Sequence, residues 1–109
     1  MTLDDYQQRA WKTAIHPNAG QNLVYPTLGL AGEAGEVANK VKKIMRDDGG
    51  TLTDTKRSEI QQELGDVLWY TAAIATELGL SLGTVAEENL NRLADRQARG
   101  VLRGSGDNR

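Results

Sequence analysis

The chain lacks cysteine altogether and has one histidine, His16, among its 109 residues. The absence of thiols excludes disulfide bonds, thiolate zinc sites and cysteine nucleophiles. One histidine also argues against a histidine-rich metal site and against a Ser-His-Asp triad. A metal site in this protein is therefore expected to use oxygen ligands, chiefly carboxylates.

The chain also has few aromatic residues and only a small net charge. Phenylalanine is absent, and the aromatic residues are two tryptophans and three tyrosines. The 13 basic side chains nearly balance the 15 acidic ones, so the formal net charge of −2 gives no general attraction to nucleic acid or to an anionic membrane. The first five residues show no targeting pattern, and no apolar run reaches membrane-spanning length. We expect one cytoplasmic domain covering residues 1–109, with a core of leucine, valine, isoleucine and alanine.

Hydrophobic periodicity and capping signals predict an all-α chain of four helices with no strand. Thr2 followed by Asp5 is typical of a capping box, and Pro26 suits a first helical turn. Ser81 is a predicted N-cap and Gly79 a predicted C-cap. Residues 99–109, with three glycines and three arginines, are expected to form a flexible basic tail. The predicted helices cover residues 2–16, 26–46, 55–78 and 81–98.

Two carboxylate pairs carry the strongest chemical signal: Glu33-x-x-Glu36 and Glu63-x-x-Asp66, each on a predicted helix. A spacing of three residues puts both side chains on one helix face, where like charges repel by about 0.2–0.5 kcal/mol. Helix stability therefore does not explain the pattern, whereas a hard divalent cation does, because it needs several oxygen ligands. The donor set favours Mg²⁺, with Mn²⁺ as a substitute.

Apolar stripes border the carboxylates on both acidic helices. If these stripes pack against each other or against a shared core, all four carboxylates can rim one groove. The glycines near the carboxylates could serve close ligand approach or tight helix packing, and the sequence leaves both readings open. The stripes comprise Leu30, Ala34, Val37, Val41, Ile44 and Met45 on one helix and Ile60, Leu64, Val67, Leu68, Ile74 and Ala75 on the other; the glycines are Gly29, Gly32, Gly35 and Gly65.

Basic residues lie close to the acidic faces. Lys40 and Lys43 follow Glu36 by four and seven residues, which places them one and two turns along the helix. Taken alone, Glu36 and Lys40 would form an ordinary surface ion pair worth about 0.3–0.5 kcal/mol. The fourth helix adds a polar and basic stripe, which is usually solvated but would suit a polyphosphate beside a metal: Asn89, Arg92, Arg96 and Arg99.

The segments 29–37 (Gly-Leu-Ala-Gly-Glu-Ala-Gly-Glu-Val), 42–43 (Lys-Lys) and 63–70 (Glu-Leu-Gly-Asp-Val-Leu-Trp-Tyr) resemble the MazG-like nucleoside triphosphate pyrophosphohydrolases of the all-α NTP pyrophosphatase superfamily. The resemblance extends from Tyr6 to the tail. It implies Mg²⁺-dependent hydrolysis between the α- and β-phosphates of an NTP or dNTP, which releases the monophosphate and pyrophosphate. It also implies a helical bundle of identical subunits, commonly a dimer or a tetramer.

The resemblance also implies roles for individual residues. Tyr70 matches a position that reaches the nucleotide. Asn89-x-x-Arg92 is similar to a family Asn-x-x-Lys that meets phosphate or sugar, although here arginine replaces the lysine and its forked side chain can choose other oxygens. Arg109 belongs to a tail that resembles the family's own C-terminal sequence and is expected to fold over the nucleotide. The implied metal ligands are Glu33, Glu36, Glu63 and Asp66.

The remaining expectations follow from the chemistry of hydrolysis. Attack at the α-phosphorus needs a water that loses a proton, and we assign the proton acceptor to Glu36. Lys40 and Lys43 are expected to bind phosphate oxygens. The base and the sugar of the substrate are not specified by the sequence. A stacking surface for the base could come from the aromatic residues Tyr6, Trp11, Tyr25 and Trp69, which more often serve a core.

Two alternatives stand beside this interpretation. A di-iron carboxylate bundle would need Glu-x-x-His on two helices, and the only histidine lies in a predicted loop. A non-catalytic helical module that binds a partner or regulates would explain the amphipathic helices but not the two carboxylate pairs. The pyrophosphohydrolase hypothesis explains both features.

Overall fold

A computed structural model describes all 109 residues and contains four α-helices and no strand, which confirms the all-α prediction. The helices are α1 (Leu3–Trp11), α2 (Val24–Asp47), α3 (Asp54–Glu77) and α4 (Leu82–Ala98). α2 and α3 are the longest and pack along each other, with early residues of α2 facing late residues of α3. α1 lies against α3 and the beginning of α4. No helix has the length and apolar character needed to cross a bilayer.

The predicted helix starts and stops are largely confirmed. Thr2 and Asp5 form a reciprocal capping box at α1, and the Ser81 hydroxyl accepts a hydrogen bond from the Thr84 amide at the start of α4. Thr53 caps α3 in the same way. Gly79 adopts a φ of 70°, the left-handed conformation that glycine allows after a helix end.

The first helix is shorter than predicted, since α1 ends at Trp11 rather than near residue 16. The Ala10 carbonyl accepts hydrogen bonds from the amide and hydroxyl of Thr13, and the Trp69 indole N–H also points to it at 3.3 Å. The amide of Ala14 reaches only to the Trp11 carbonyl, three residues back, so the chain leaves the helix in tight turns. Local hydrogen bonds from Thr13 and a contact from α3 thus meet at the end of α1, which periodicity alone does not reveal.

The apolar stripes are covered only in part within the single chain: Ile44 and Ala75 are buried, whereas other stripe members face solvent. On α2, Val41 is 47% and Met45 68% exposed, and on α3 Leu64 is 55% exposed. Gly29, on the acidic side of α2, lies against the Tyr70 ring of α3. Only seven residues are fully buried: Pro26, Ile44, Ala72, Ala73, Ala75, Leu82 and His16.

The single chain is expanded for its length. Its radius of gyration is 16.8 Å, whereas a compact domain of this size is expected near 13 Å. Its accessible surface is 7738 Å², against about 5,900 Å² for a typical folded monomer of 11.9 kDa. The exposed stripes account for part of this excess, so the chain displays apolar surface that it does not cover itself.

The tail folds back on the end of α4. Arg96 donates a hydrogen bond to the Asp107 carbonyl at 2.9 Å, and Arg99 donates one to the Arg109 carbonyl at 2.6 Å. The Arg109 guanidinium donates to the Gly106 carbonyl at 2.6 Å. In this conformation the tail is engaged with its own helix, and its predicted flexibility stays a prediction.

Candidate functional site

Three of the four predicted metal ligands converge between α2 and α3. One oxygen each from Glu33, Glu63 and Asp66 lies within 4.8 Å of the others. Glu36 is exposed and stands outside this trio, although its negative charge still acts on Glu33. We call Glu33, Glu63 and Asp66 the carboxylate cluster.

The electrostatics of the carboxylate cluster show that its charges are in conflict. Burial raises the pKa of Glu33, and a hydrogen bond with Glu63 raises it further. The negative charges of Asp66, Glu63 and Glu36 act in the same direction. A hydrogen bond between two carboxyl groups requires a proton on one of them. A divalent cation can replace that proton and satisfy all the oxygens at once, so this donor set fits a hard metal ion.

A cavity of about 360 Å³ opens beside the carboxylate cluster. Two cluster members, Glu33 and Asp66, form one side of it. The other side is mainly aromatic, and the volume lies within the usual range for small-molecule sites. The cavity therefore joins an acidic edge to a mainly aromatic wall. The lining of this aromatic cavity is completed by Thr13, Ile15, His16, Tyr25, Trp69 and Tyr70.

Tyr70 is held in place by a glycine on the facing helix. A Cβ atom at position 29 would collide with the Tyr70 ring, so Gly29 serves helix packing. By contrast, a Cβ at Gly32, Gly35 or Gly65 would meet no atom within 4 Å. Packing within one chain therefore explains the glycine at position 29. It does not explain Gly32, Gly35 and Gly65, which border open space.

The tyrosines around the cluster respond to its negative charge. Burial raises the pKa of Tyr70, and the neighbouring Tyr25 and Glu33 raise it further. Tyr6, on α1, also has a raised pKa, because of burial and the charge of Asp66. Both phenols therefore stay protonated at neutral pH and can act as hydrogen-bond donors towards this region.

The loop between α1 and α2 forms one wall of the cavity and is anchored by Glu77, from the last turn of α3. One oxygen of the Glu77 carboxylate lies 3.2 Å from Nε2 of His16 and accepts the Gly20 amide at 3.1 Å. The Asn22 amide donates to the same carboxylate at 3.3 Å. Both ionisable side chains are buried, at 2% exposure for His16 and 1% for Glu77. His16 stacks on the Tyr25 ring with a centroid distance of 5.0 Å.

Sequence reasoning missed the contribution of this loop. His16, Ile15 and Thr13 come to the cavity only because the chain turns after Trp11 and is then tied to Glu77. No spacing rule links a loop residue to an acid more than fifty positions later. A weak signal was the solitary histidine beside Pro17, at the point where an amphipathic helix stops.

The aromatic residues divide between two places. Tyr25 and Trp69 line the aromatic cavity, whereas Trp11 borders a separate hollow next to Gln8 and Lys12. The Trp69 indole N–H donates to the Thr13 hydroxyl at 2.8 Å, which fixes its ring in the wall. Only some of the predicted stacking surface is therefore in position.

The other predicted substrate-binding residues lie elsewhere in the single chain. Lys40 is 3.6 Å from Glu59, and half-buried Lys43 lies close enough to help Arg46 lower the pKa of Asp47. Asn89 and Arg92 do not line the aromatic cavity. They line a different hollow, together with Leu3, Leu68, Leu82, Val85 and Ala86. Arg109 is held by its own tail. Asn89, Arg92 and Arg109 are therefore not among the residues that line the aromatic cavity in the single chain, and Lys40 is paired with Glu59 instead.

Comparison with known proteins agrees with this architecture. The family model described as the MazG nucleotide pyrophosphohydrolase domain matches residues 23–101, which include all four predicted metal ligands. The chain is similar to Gene 37 protein of Mycobacterium phage L5, with 54% identity over 114 aligned positions that cover 100% of both proteins. No solved structure matches the chain. The family match confirms the resemblance in sequence, and the chain therefore belongs to the MazG nucleotide pyrophosphohydrolase domain family.

Proposed function

We propose that the protein is a Mg²⁺-dependent pyrophosphohydrolase that converts a (d)NTP into the (d)NMP and pyrophosphate and so controls a nucleotide pool. Mn²⁺ is the expected substitute. The observation that carries the proposal is the carboxylate cluster at the edge of the aromatic cavity. Carboxylate oxygens suit a hard cation, and an adjoining aromatic wall suits a base. The membership in the MazG domain family supports the same reaction class.

The reaction requires an attacking water and a stabilised leaving group. A bound divalent cation supplies neutralisation of phosphate charge and activation of water. The water oxygen bonds to the α-phosphorus while the bond from that phosphorus to the α–β bridging oxygen breaks, and pyrophosphate departs with that oxygen. Glu36, exposed one turn beyond Glu33, accepts the proton that the water loses. Its position outside the carboxylate cluster keeps an oxygen available for this task.

The base is proposed to enter the aromatic cavity. Tyr25 and Trp69 offer ring faces there, and stacking of a base on an aromatic side chain is worth about 1–3 kcal/mol. Tyr70 lines the same cavity and interacts with both Tyr25 and Glu33, which supports a role for its phenol as a donor to the sugar or to the α-phosphate. Stacking tolerates many bases, which is consistent with a sequence that does not specify one.

The working enzyme is proposed to be a homodimer or homotetramer. The exposed stripe residues Val41, Met45 and Leu64 need covering, and the excess surface of the single chain supports association. Asn89 and Arg92 line a different hollow and Arg109 is bound to its own tail, which supports their presentation to the cluster by a neighbouring subunit. In this arrangement the tail opens from α4 and closes over the nucleotide. Light scattering should show a dimer or a tetramer at micromolar concentration.

Product analysis tests the proposed reaction. The purified protein should release pyrophosphate and nucleoside monophosphate in equal amounts from at least one triphosphate in a panel of canonical and modified (d)NTPs, and EDTA should stop the reaction. Mg²⁺ should restore it. Orthophosphate and nucleoside diphosphate as first products would contradict the proposal, as would turnover that persists in excess EDTA.

A further inference from the structure

A second charged cluster lies on the same helix pair, away from the carboxylate cluster. The ammonium groups of Lys56 and Lys40 lie 3.3 and 3.6 Å from one oxygen of Glu59. Lys40 comes from α2, and the other two residues come from α3. The lysine side chains are only 23% and 21% exposed, for Lys40 and Lys56 respectively, and Glu59 is 35% exposed. We call these three residues the lysine pair with its glutamate.

The register of the helices relates this group to the carboxylate cluster. Lys40 follows Glu33 by seven residues on α2, and Lys56 precedes Glu63 by seven on α3. Seven residues are two helical turns, so each lysine lies on nearly the same face as its cluster partner and about 10 Å along the axis. Since Tyr25 and Tyr70 lie in the opposite direction along both helices, three sites follow one another along the α2–α3 seam. They are the aromatic cavity, the carboxylate cluster and the lysine pair.

The charge at the far site is not balanced. Two ammonium groups share one carboxylate, so these three side chains together carry a net positive charge. Asp47 also lies close enough to feel the charges of Lys56 and Lys43, but its carboxylate is engaged by Arg46, whose guanidinium donates to both of its oxygens at 2.6 and 2.8 Å. The cations at this end of the helix pair therefore outnumber Glu59 and Asp47. An ion pair that merely joins α2 to α3 would need only one lysine. The surplus cation is the observation that points to an anionic ligand.

We propose that Lys40 and Lys56 bind the terminal phosphates of the substrate and the pyrophosphate product, and that Glu59 is their built-in counter-charge. The inference rests on the proposed function, since it assigns the polyphosphate end of the same substrate. With the base in the aromatic cavity and the α-phosphate at the carboxylate cluster, the remaining phosphates extend towards the lysines. Glu59 holds both ammonium groups when no phosphate is bound and competes with pyrophosphate, which favours product release.

Two substitutions that break the same ion pair test this assignment. Lys56→Gln removes one positive charge and should weaken the binding of inorganic pyrophosphate by about tenfold, the size expected for one charged hydrogen bond. Glu59→Gln removes the counter-charge and should tighten that binding by about threefold. Both variants lose the contact between Lys56 and Glu59, so both should lower the melting temperature. If the ion pair served only to stabilise the fold, the pyrophosphate affinity of the two variants would change in the same direction or not change at all.

The measurement is calorimetric titration of the full-length protein with pyrophosphate in the presence of Mg²⁺. Arg57→Gln is the matched control, because it removes one positive charge from an exposed neighbour on the same helix and should leave the affinity unchanged. Lys56→Arg should bind pyrophosphate within about threefold of the native protein, since it keeps the charge. Lys40→Gln, from the other helix, should repeat the loss if Lys56→Gln does not fold.

The results separate this inference from the proposed reaction. Turnover by the native protein with unchanged pyrophosphate affinity in Lys56→Gln and Lys40→Gln would overturn the lysine site and leave the reaction intact. Opposite shifts in Lys56→Gln and Glu59→Gln would support the site even if no tested triphosphate were cleaved. Failure of the native protein to bind pyrophosphate at millimolar concentration would overturn the inference outright.

Discussion

Helix α3 carries acidic side chains in two contrasting surroundings. Glu77, in its last turn, is buried and accepts hydrogen bonds from two backbone amides beside His16. Glu63 and Asp66, three to four turns earlier, lie beside a third carboxylate, that of Glu33. Burial alone would raise the pKa of Glu77, yet its hydrogen bonds prevail and the pKa lies below its ordinary value. The pKa of Glu33 lies above its ordinary value.

The difference shows what separates a structural acid from a ligand set. Around Glu77 the protein itself supplies the hydrogen-bond donors, so the carboxylate is satisfied and holds the loop between α1 and α2 in place. In the carboxylate cluster the protein supplies only acceptors, and their repulsion is tolerated in the folded state. An arrangement that destabilises its own charges is typical of a site that awaits a ligand. Substitutions at the two places should therefore have opposite consequences for activity and stability.

The largest expected effect is loss of turnover in the cluster. Glu63→Gln and Glu36→Gln should each lower kcat/KM by at least about 100-fold, because one removes a metal ligand and the other the proton acceptor. The metal-free melting temperature should stay within a few degrees of the native value, since repulsion is also relieved. Steady-state kinetics and circular dichroism check both statements. Near-native activity in either variant would refute that residue's assignment.

At Glu77 the expected effect is on stability instead. Glu77→Gln should lower the melting temperature by about 5 °C or more, because an amide nitrogen would face the backbone donors of Gly20 and Asn22. The folded variant should keep kcat within a few-fold of the native value. Glu87→Gln, an exposed substitution on α4, is the control and should change neither quantity. A Glu77→Gln protein with native stability but no activity would contradict the assignment of Glu77 as a structural acid.

A smaller effect is expected in the pH dependence of stability. Because the pKa of Glu33 is raised on folding, the folded protein holds this proton more tightly than the unfolded chain, and stability should fall as the pH rises through the raised pKa. Between about pH 4.5 and 7 the metal-free melting temperature should therefore decline more in the native protein than in Glu33→Gln, by a few degrees. Mg²⁺ should abolish the difference. Parallel curves for the two proteins without metal would contradict the shared-proton account.

The fold was largely predictable because its signals are local. The capping box at Thr2, the N-cap at Ser81 and the left-handed Gly79 depend on residues within a few positions of one another. The end of α1 was predicted several residues too late, since periodicity does not reveal the tight turns at Thr13 and Ala14 or the additional contact from Trp69. How much of the apolar stripe on α2 a single chain covers was not predictable, because amphipathic periodicity identifies an apolar face but not whether the same chain covers it.

The candidate site shows the same division. The spacing within each carboxylate pair placed Glu33, Glu63 and Asp66 on facing helices, where the structure has them. The wall formed by His16 and its loop was not predictable, because a buried acid sixty residues away positions it. The assignments of Asn89, Arg92 and Arg109 stay predictions, since their approach to the cluster depends on contacts beyond one chain.

The hydrogen bond that fixes the Trp69 indole has a practical consequence. A rigid indole at the wall of the aromatic cavity, close to the Tyr70 ring, is a built-in optical probe of whatever enters. Trp11, the second fluorophore of this type, borders a different hollow. Replacing Trp11 with phenylalanine would leave Trp69 as the only tryptophan, whose emission, excited selectively beyond the tyrosine absorption, should report occupancy of the cavity. Arrival and departure of a nucleotide could then be followed by stopped-flow fluorescence without labelling the protein.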